Sequence, residues 1–112
     1  MNTGSEPNTD EMIDLLLKLV PHTKVSHHEP GRITLKLSLS GLAKTHDGNY
    51  DGLMEKIPGI LHTRTNLWSR SMDIDYDVEV LPYDLWESLI GLQKHPERSE
   101  RVQSRLKKLL DN

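Results

Sequence analysis

"KVSHHEPGRITLKL", residues 24–37, decides how this chain is read. Ile33, Leu35 and Leu37 alternate with Arg32, Thr34 and Lys36, and Leu39 extends the pattern. A period of two puts one set on the buried face of a strand and the other in water. Pro30-Gly31 interrupts the run. Two readings stay open: a hairpin turns there, or one long strand carries a bulge near its start. His27 and His28 stand just before the break. Neighbours on a strand face opposite sides, so the pair is a poor bidentate clamp, with one imidazole toward the core and one outward.

Working outward, residues 1–9 are polar and read as a disordered tail. Thr9 or Asp10 then caps a helix to about Val20, ahead of Pro21. Met12, Ile13, Leu15, Leu16, Leu17, Leu19 and Val20 make more than one stripe, so this helix needs broad cover from its own sheet or from another subunit. In the other direction, 40–50 reads as a loop, and 49–57 as a short helix closed by Pro58-Gly59. Strands follow at 60–66 and 71–77, with "NLWSRS" between them. Met72, Ile74 and Tyr76 point one way and Asp73, Asp75 and Asp77 the other. Pro82 opens a helix with Leu85, Trp86, Leu89 and Ile90 as its core stripe, and a last helix spans about 97–110. Without repeats or a clear linker, residues 10–112 form one domain.

Composition limits the rest. A chain of 112 residues has room for one modest core. With 14 basic and 17 acidic residues and a net charge of -3, nothing favours a nucleic-acid partner. The absence of cysteine removes disulfides, thiolate metal sites and cysteine nucleophiles. The polar, acidic start is unlike a signal peptide, and the apolar runs are too short or too charged for a bilayer. A cytoplasmic protein without direct membrane insertion is expected.

The order helix, strand, helix, strand, strand, helix, helix, together with His27-His28-Glu29-Pro30-Gly31-Arg32, Ile57-Pro58-Gly59 and the hairpin from Asn66 to Asp77, resembles the heavy-metal-associated-like domains that lack metal-binding cysteines. The resemblance covers about residues 24–90. It implies an α+β, ferredoxin-like sandwich, and a setting beside metal-related membrane machinery. Where classical members carry two cysteines, this chain offers His46 and Asp47, and Arg70 replaces the usual hairpin glycine. A fourth strand should follow the second helix, yet residues 92–112 read as helix. The expected sheet therefore has about three strands, with helical extensions at both ends. Its His27-bearing strand then becomes an edge, and the Ile33-Leu35-Leu37 backbone a pairing hazard. The terminal helices cover it, or the same strand of a second subunit does.

From these readings come the candidate sites. Leu16, Leu17, Leu35, Trp68 and Arg70 are interface candidates, and a homo-oligomer, in the simplest case a dimer, is expected. Trp68 at a hairpin tip is either an anchor for a partner or a lid folded back over the sheet. His27 and His28 are the metal or haem candidates, although none of the six histidines shows zinc-type spacing. Asp73, Asp75 and Asp77 in a row either gather a hard cation or form a solvated face. No nucleophile motif or phosphate loop is present, and catalysis on a ferredoxin-like fold is fold-level analogy only. The leading expectation is a non-enzymatic interaction or self-association domain without a resident cofactor. A metal- or haem-handling module and an enzyme are the alternatives.

Overall fold

The computed structural model describes residues 8–45 and 49–111. Helix α1 (Thr9–Leu19) is capped by Asn8, not by Thr9 or Asp10. The Asn8 side chain accepts from the Glu11 amide at 2.8 Å, and the Glu11 carboxylate accepts from the Asn8 amide at 2.9 Å. This reciprocal pair satisfies two of the amides a helix start leaves open. Asn8 and Thr9, expected in the tail, belong to the helix and its cap, and residues 1–7 lie outside the described residues.

A 3-10 turn, Val20–His22, leads into strands β1 (Thr23–Glu29) and β2 (Arg32–Leu37). They form an antiparallel hairpin that turns at Pro30-Gly31, where Gly31 takes a φ of 95° that disfavours any side chain. A bulge is present as well. Val25 faces Leu35 and His27 faces Thr34, leaving Ser26 as the extra residue. The bulge reverses the inside–outside phase of the strand. Straight alternation from Val25 would turn His27 inward, but after Ser26 it is His28 that lies on the side of Ile33.

Helices α2 (Leu39–Thr45) and α3 (Asn49–Met54) follow, then the hairpin of β3 (Ile60–Asn66) and β4 (Ser71–Tyr76). The α2 helix occupies part of the stretch expected as loop. Gly41, which suggested a loop, is instead a place of close packing: a Cβ there would lie 2.7 Å from His22 Cβ. Ser38 Oγ accepts from the Gly41 amide at 3.0 Å at the helix start. After α4 (Tyr83–Ile90) come two 3-10 turns and α5 (Ser99–Leu110).

The sheet has four strands in the order β1-β2-β4-β3, every neighbouring pair antiparallel. This corrects the expected three-stranded ferredoxin-like sheet with a helix in place of the fourth strand. The C-terminal residues are helical, as read, but the place beside β2 is not empty. A strand from upstream, β1, fills it. The Ile33-Leu35-Leu37 backbone is therefore interior and presents no open edge. The α+β architecture with flanking helices stands.

One sheet face carries the core, with Ile33, Leu35, Leu37, Met72, Ile74 and Tyr76 all buried. On the helix side α1 packs against α3, α4 and α5. That packing covers the broad apolar front of α1 within the chain: Met12, Ile13, Leu16 and Leu19 are buried, and Leu15 and Leu17 are packed against the core. Leu16 and Leu35, with 1% and 0% exposure, are core residues and unavailable to a second subunit. Both edges are blunted. Thr63 and Thr65 amides on β3 donate to Glu55 at 2.8 Å and Asp51 at 3.1 Å, which come from α3 and the turn after it. On β1 the Ser26 bulge breaks the edge.

Candidate functional site

His28 sits in a closed polar cluster where the β1–β2 hairpin meets α4. Its Nδ1 lies 2.6 Å from Glu87 Oε2 and its Nε2 lies 2.7 Å from Tyr76 Oη. Tyr83 stacks on the imidazole with ring centroids 3.8 Å apart and planes 5° apart. Tyr76 in turn lies 5.2 Å from Trp86. Hydroxyl, imidazole and carboxylate stand in the order of a catalytic relay. The hydroxyl end is closed, however: Tyr76 has 2% exposure, and burial raises its phenol pKa. With both nitrogens engaged and one face covered, the imidazole pins the hairpin to the helix layer. His27, on the opposite face, is exposed and pairs with Glu29 at 2.8 Å.

The open face of the sheet is polar, and its aspartates are paired within it. Arg32 donates from Nε to Asp75 Oδ1 at 2.5 Å and from Nη2 to Oδ2 at 3.2 Å. This fork holds the Asp75 carboxyl below the usual carboxylate range. Thr34 donates to Asp73 at 2.8 Å, and Asp77 accepts from the Glu79 amide at 2.9 Å. The aspartate row is thus spent on separate partners. Among the described residues no group of three or more His, Asp or Glu side chains is placed to hold a metal ion. His46 and Asp47, the residues in the place of the classical cysteines, lie outside the described residues.

The β3–β4 tip is different in kind. Asn66 Oδ1 accepts from the amides of Trp68 at 2.9 Å and Ser69 at 3.1 Å. Ser69 and Ser71 hydroxyls lie 2.6 Å apart, and the Arg70 carbonyl accepts from the Leu37 amide at 2.7 Å. Arg70 adopts a φ of 51°, the left-handed position normally given to glycine. The loop is held by its own bonds, yet Trp68 is 98% exposed, with Leu67 beside it at 53%. Trp68 is no lid over the sheet. The other tryptophan, Trp86, is buried, as its helical spacing with Leu89 and Ile90 requires.

Among the interface candidates, then, Trp68 and Arg70 share the exposed tip, Leu17 is partly buried on α1, and Leu16 and Leu35 are in the core. Sequence reasoning missed the partners of His28, namely Tyr76, Tyr83 and Glu87, and missed the exposure of Leu39, Leu61, Val78 and Tyr83. The i, i+4 spacing of Tyr83 and Glu87 was the available signal for the first group, since it stacks them on one helix face. Leu61 gave no signal: a bulge between Ile60 and His62 turns it out of the core. Among the described residues no helix is long and apolar enough to cross a membrane. Compared with family models, with curated proteins and with solved structures, the chain matches none.

Proposed function

We propose that this chain is a non-enzymatic interaction domain that engages a protein partner through the β3–β4 tip, with Trp68 as anchor and Arg70 as its polar neighbour. The observation that carries the reading is a fully exposed indole on a loop whose backbone is already fixed. Burying a tryptophan side chain removes roughly 200 Å² from water, worth about 5 kcal/mol before association costs. A pre-fixed loop adds little ordering entropy to those costs. Aromatic and arginine side chains are also the usual energetic anchors of protein interfaces.

The resemblance of residues 24–90 to cysteine-free heavy-metal-associated-like domains supports a setting beside metal-related membrane machinery, on sequence motifs alone. A metal- or haem-handling role for His27 and His28 is less well supported. His28 would have to give up Glu87 or Tyr76 to ligate, and His27 faces the other side of the sheet.

The test compares wild type with Trp68→Ala, both immobilised and exposed to extract of the producing cells. Proteins retained by wild type and lost from Trp68→Ala are the expected result. Identical retained sets would overturn the proposal.

A further inference from the structure

We infer that copies of this chain associate head to tail, the β3–β4 tip end of one sheet docking on the Pro30-Gly31 end of the next. The inference rests on the tip being a contact surface, and names a second copy as its occupant.

Strand register defines the two ends. Lys24, Lys36, Ser71 and Asn66 lie in one row across the sheet, next to the tip loop 67–70 and to the end of β2. Glu29, Arg32, Asp75 and His62 form a row toward the other end, where the Pro30-Gly31 turn and the 77–82 connection lie. The large apolar residues left exposed segregate to these ends. Leu39, Leu67 and Trp68 belong to the first, and Leu61, Val78 and Tyr83 to the second. Among the described residues only Val25 and Leu53 are exposed elsewhere.

Charge segregates in the same way. Lys24 stands directly opposite Lys36, and Arg70 follows in the loop. Like charges directly opposite on a sheet repel, and a neighbouring anion relieves them. Two acids toward this end are already engaged, Asp51 by Thr65 at the β3 edge and Asp73 by Thr34. The second end carries Glu29, Asp77 and Glu79; of its basic groups Arg32 is committed to Asp75, His62 pairs with Glu55 and His27 with Glu29, while Lys56 stands in the turn before β3. Tip-to-tip pairing would press lysines and arginines together. Head-to-tail docking covers both apolar groups and joins opposite charges. Such a contact is heterologous, so it continues past two subunits unless its rotation closes a ring.

Sedimentation velocity over a concentration series, at low and high salt, tests this. Wild type is expected to grow beyond a dimer with concentration, and to do so less at high salt. Trp68→Ala should weaken association roughly thirtyfold, the effect of an interface hot spot, and Val78→Lys at the other end should do the same. Circular dichroism confirms that both fold. Mixed, the two variants keep one intact end each and should form a one-to-one pair that grows no further. A wild type that is monomeric throughout overturns the inference, as does a dimer that Val78→Lys leaves unchanged. If a monomeric wild type still loses its extract partners on Trp68→Ala, the tip reading survives alone. If it has no Trp68-dependent partner, both fail.

Discussion

Replacing His28 by Ala separates the two adjacent histidines by their physical roles. The ring is almost fully buried, with 3% of its side chain exposed, and three contacts disappear together. Losing the Tyr76 bond leaves a buried hydroxyl unsatisfied, at about 1–3 kcal/mol. The Tyr83 stack contributes about 0.5–1.5 kcal/mol. The Glu87 bond, on a half-exposed carboxylate, adds about 1 kcal/mol. The sum is about 2.5–5.5 kcal/mol, a large share of the roughly 5–15 kcal/mol that holds such a domain folded. His27→Ala, at a side chain 63% exposed, should change stability by less than about 0.5 kcal/mol. Denaturant unfolding followed by tryptophan fluorescence reads both, because Trp86 is buried near Tyr76 and Trp68 is already in water. Equal costs for the two variants would refute the reasoning.

Three further outcomes follow from particular residues. Arg70→Gly should raise stability by about 0.5–1 kcal/mol, because relief of left-handed strain exceeds the added freedom of the unfolded chain; a lower melting temperature would contradict it. Asp75, held below its ordinary range by Arg32, binds a proton less readily folded than unfolded. Its stabilisation is present above the usual carboxylate pKa and is lost as pH falls through the folded value, so Asp75→Asn should flatten the acid arm of a stability–pH curve, and an unchanged arm would refute the linkage. Burial, and next Asp51, raise the Tyr50 phenol pKa, and its hydroxyl donates to the Leu15 carbonyl. Stability tied to it is full below the ordinary tyrosine value, about 10, and is lost as pH rises toward the folded value. Tyr50→Phe should flatten the alkaline arm and cost about 1 kcal/mol at neutral pH.

The elements with a clean period were legible from the residues. The 3.6-residue stripes of α1, α4 and α5 and the alternation of β2 and β4 are written in apolar positions, and Trp86 followed from its stripe. β1 was not legible alone. Only Thr23 and the His28 side chain are buried on it, Val25 is exposed, and a bulge at Ser26 breaks the period, so it reads as a weak prelude to β2. The hairpin at Pro30-Gly31 was one of two open readings, and counting 24–39 as a single strand produced the three-stranded sheet, the supposed open edge of Ile33-Leu35-Leu37, and the assignment of Leu35 to an interface. Leu16 went astray for another reason: periodicity says that a helix face is covered, not whether the cover comes from the same chain. The sequence did single out Trp68 and Arg70, because a large aromatic and a non-glycine residue in a tight hairpin break local rules. Whether Trp68 folds back depends on space above the sheet, which only the assembled helix layer decides.

The interaction reading stands or falls with Trp68, and a photo-crosslinking amino acid placed at position 68 tests it in the producing cells. A discrete crosslinked adduct is expected, at a multiple of the chain's own mass if copies meet head to tail, with no such adduct from the same probe at Ser88 on the exposed side of α4. No adduct at position 68, or the same adducts from both positions, would contradict the account.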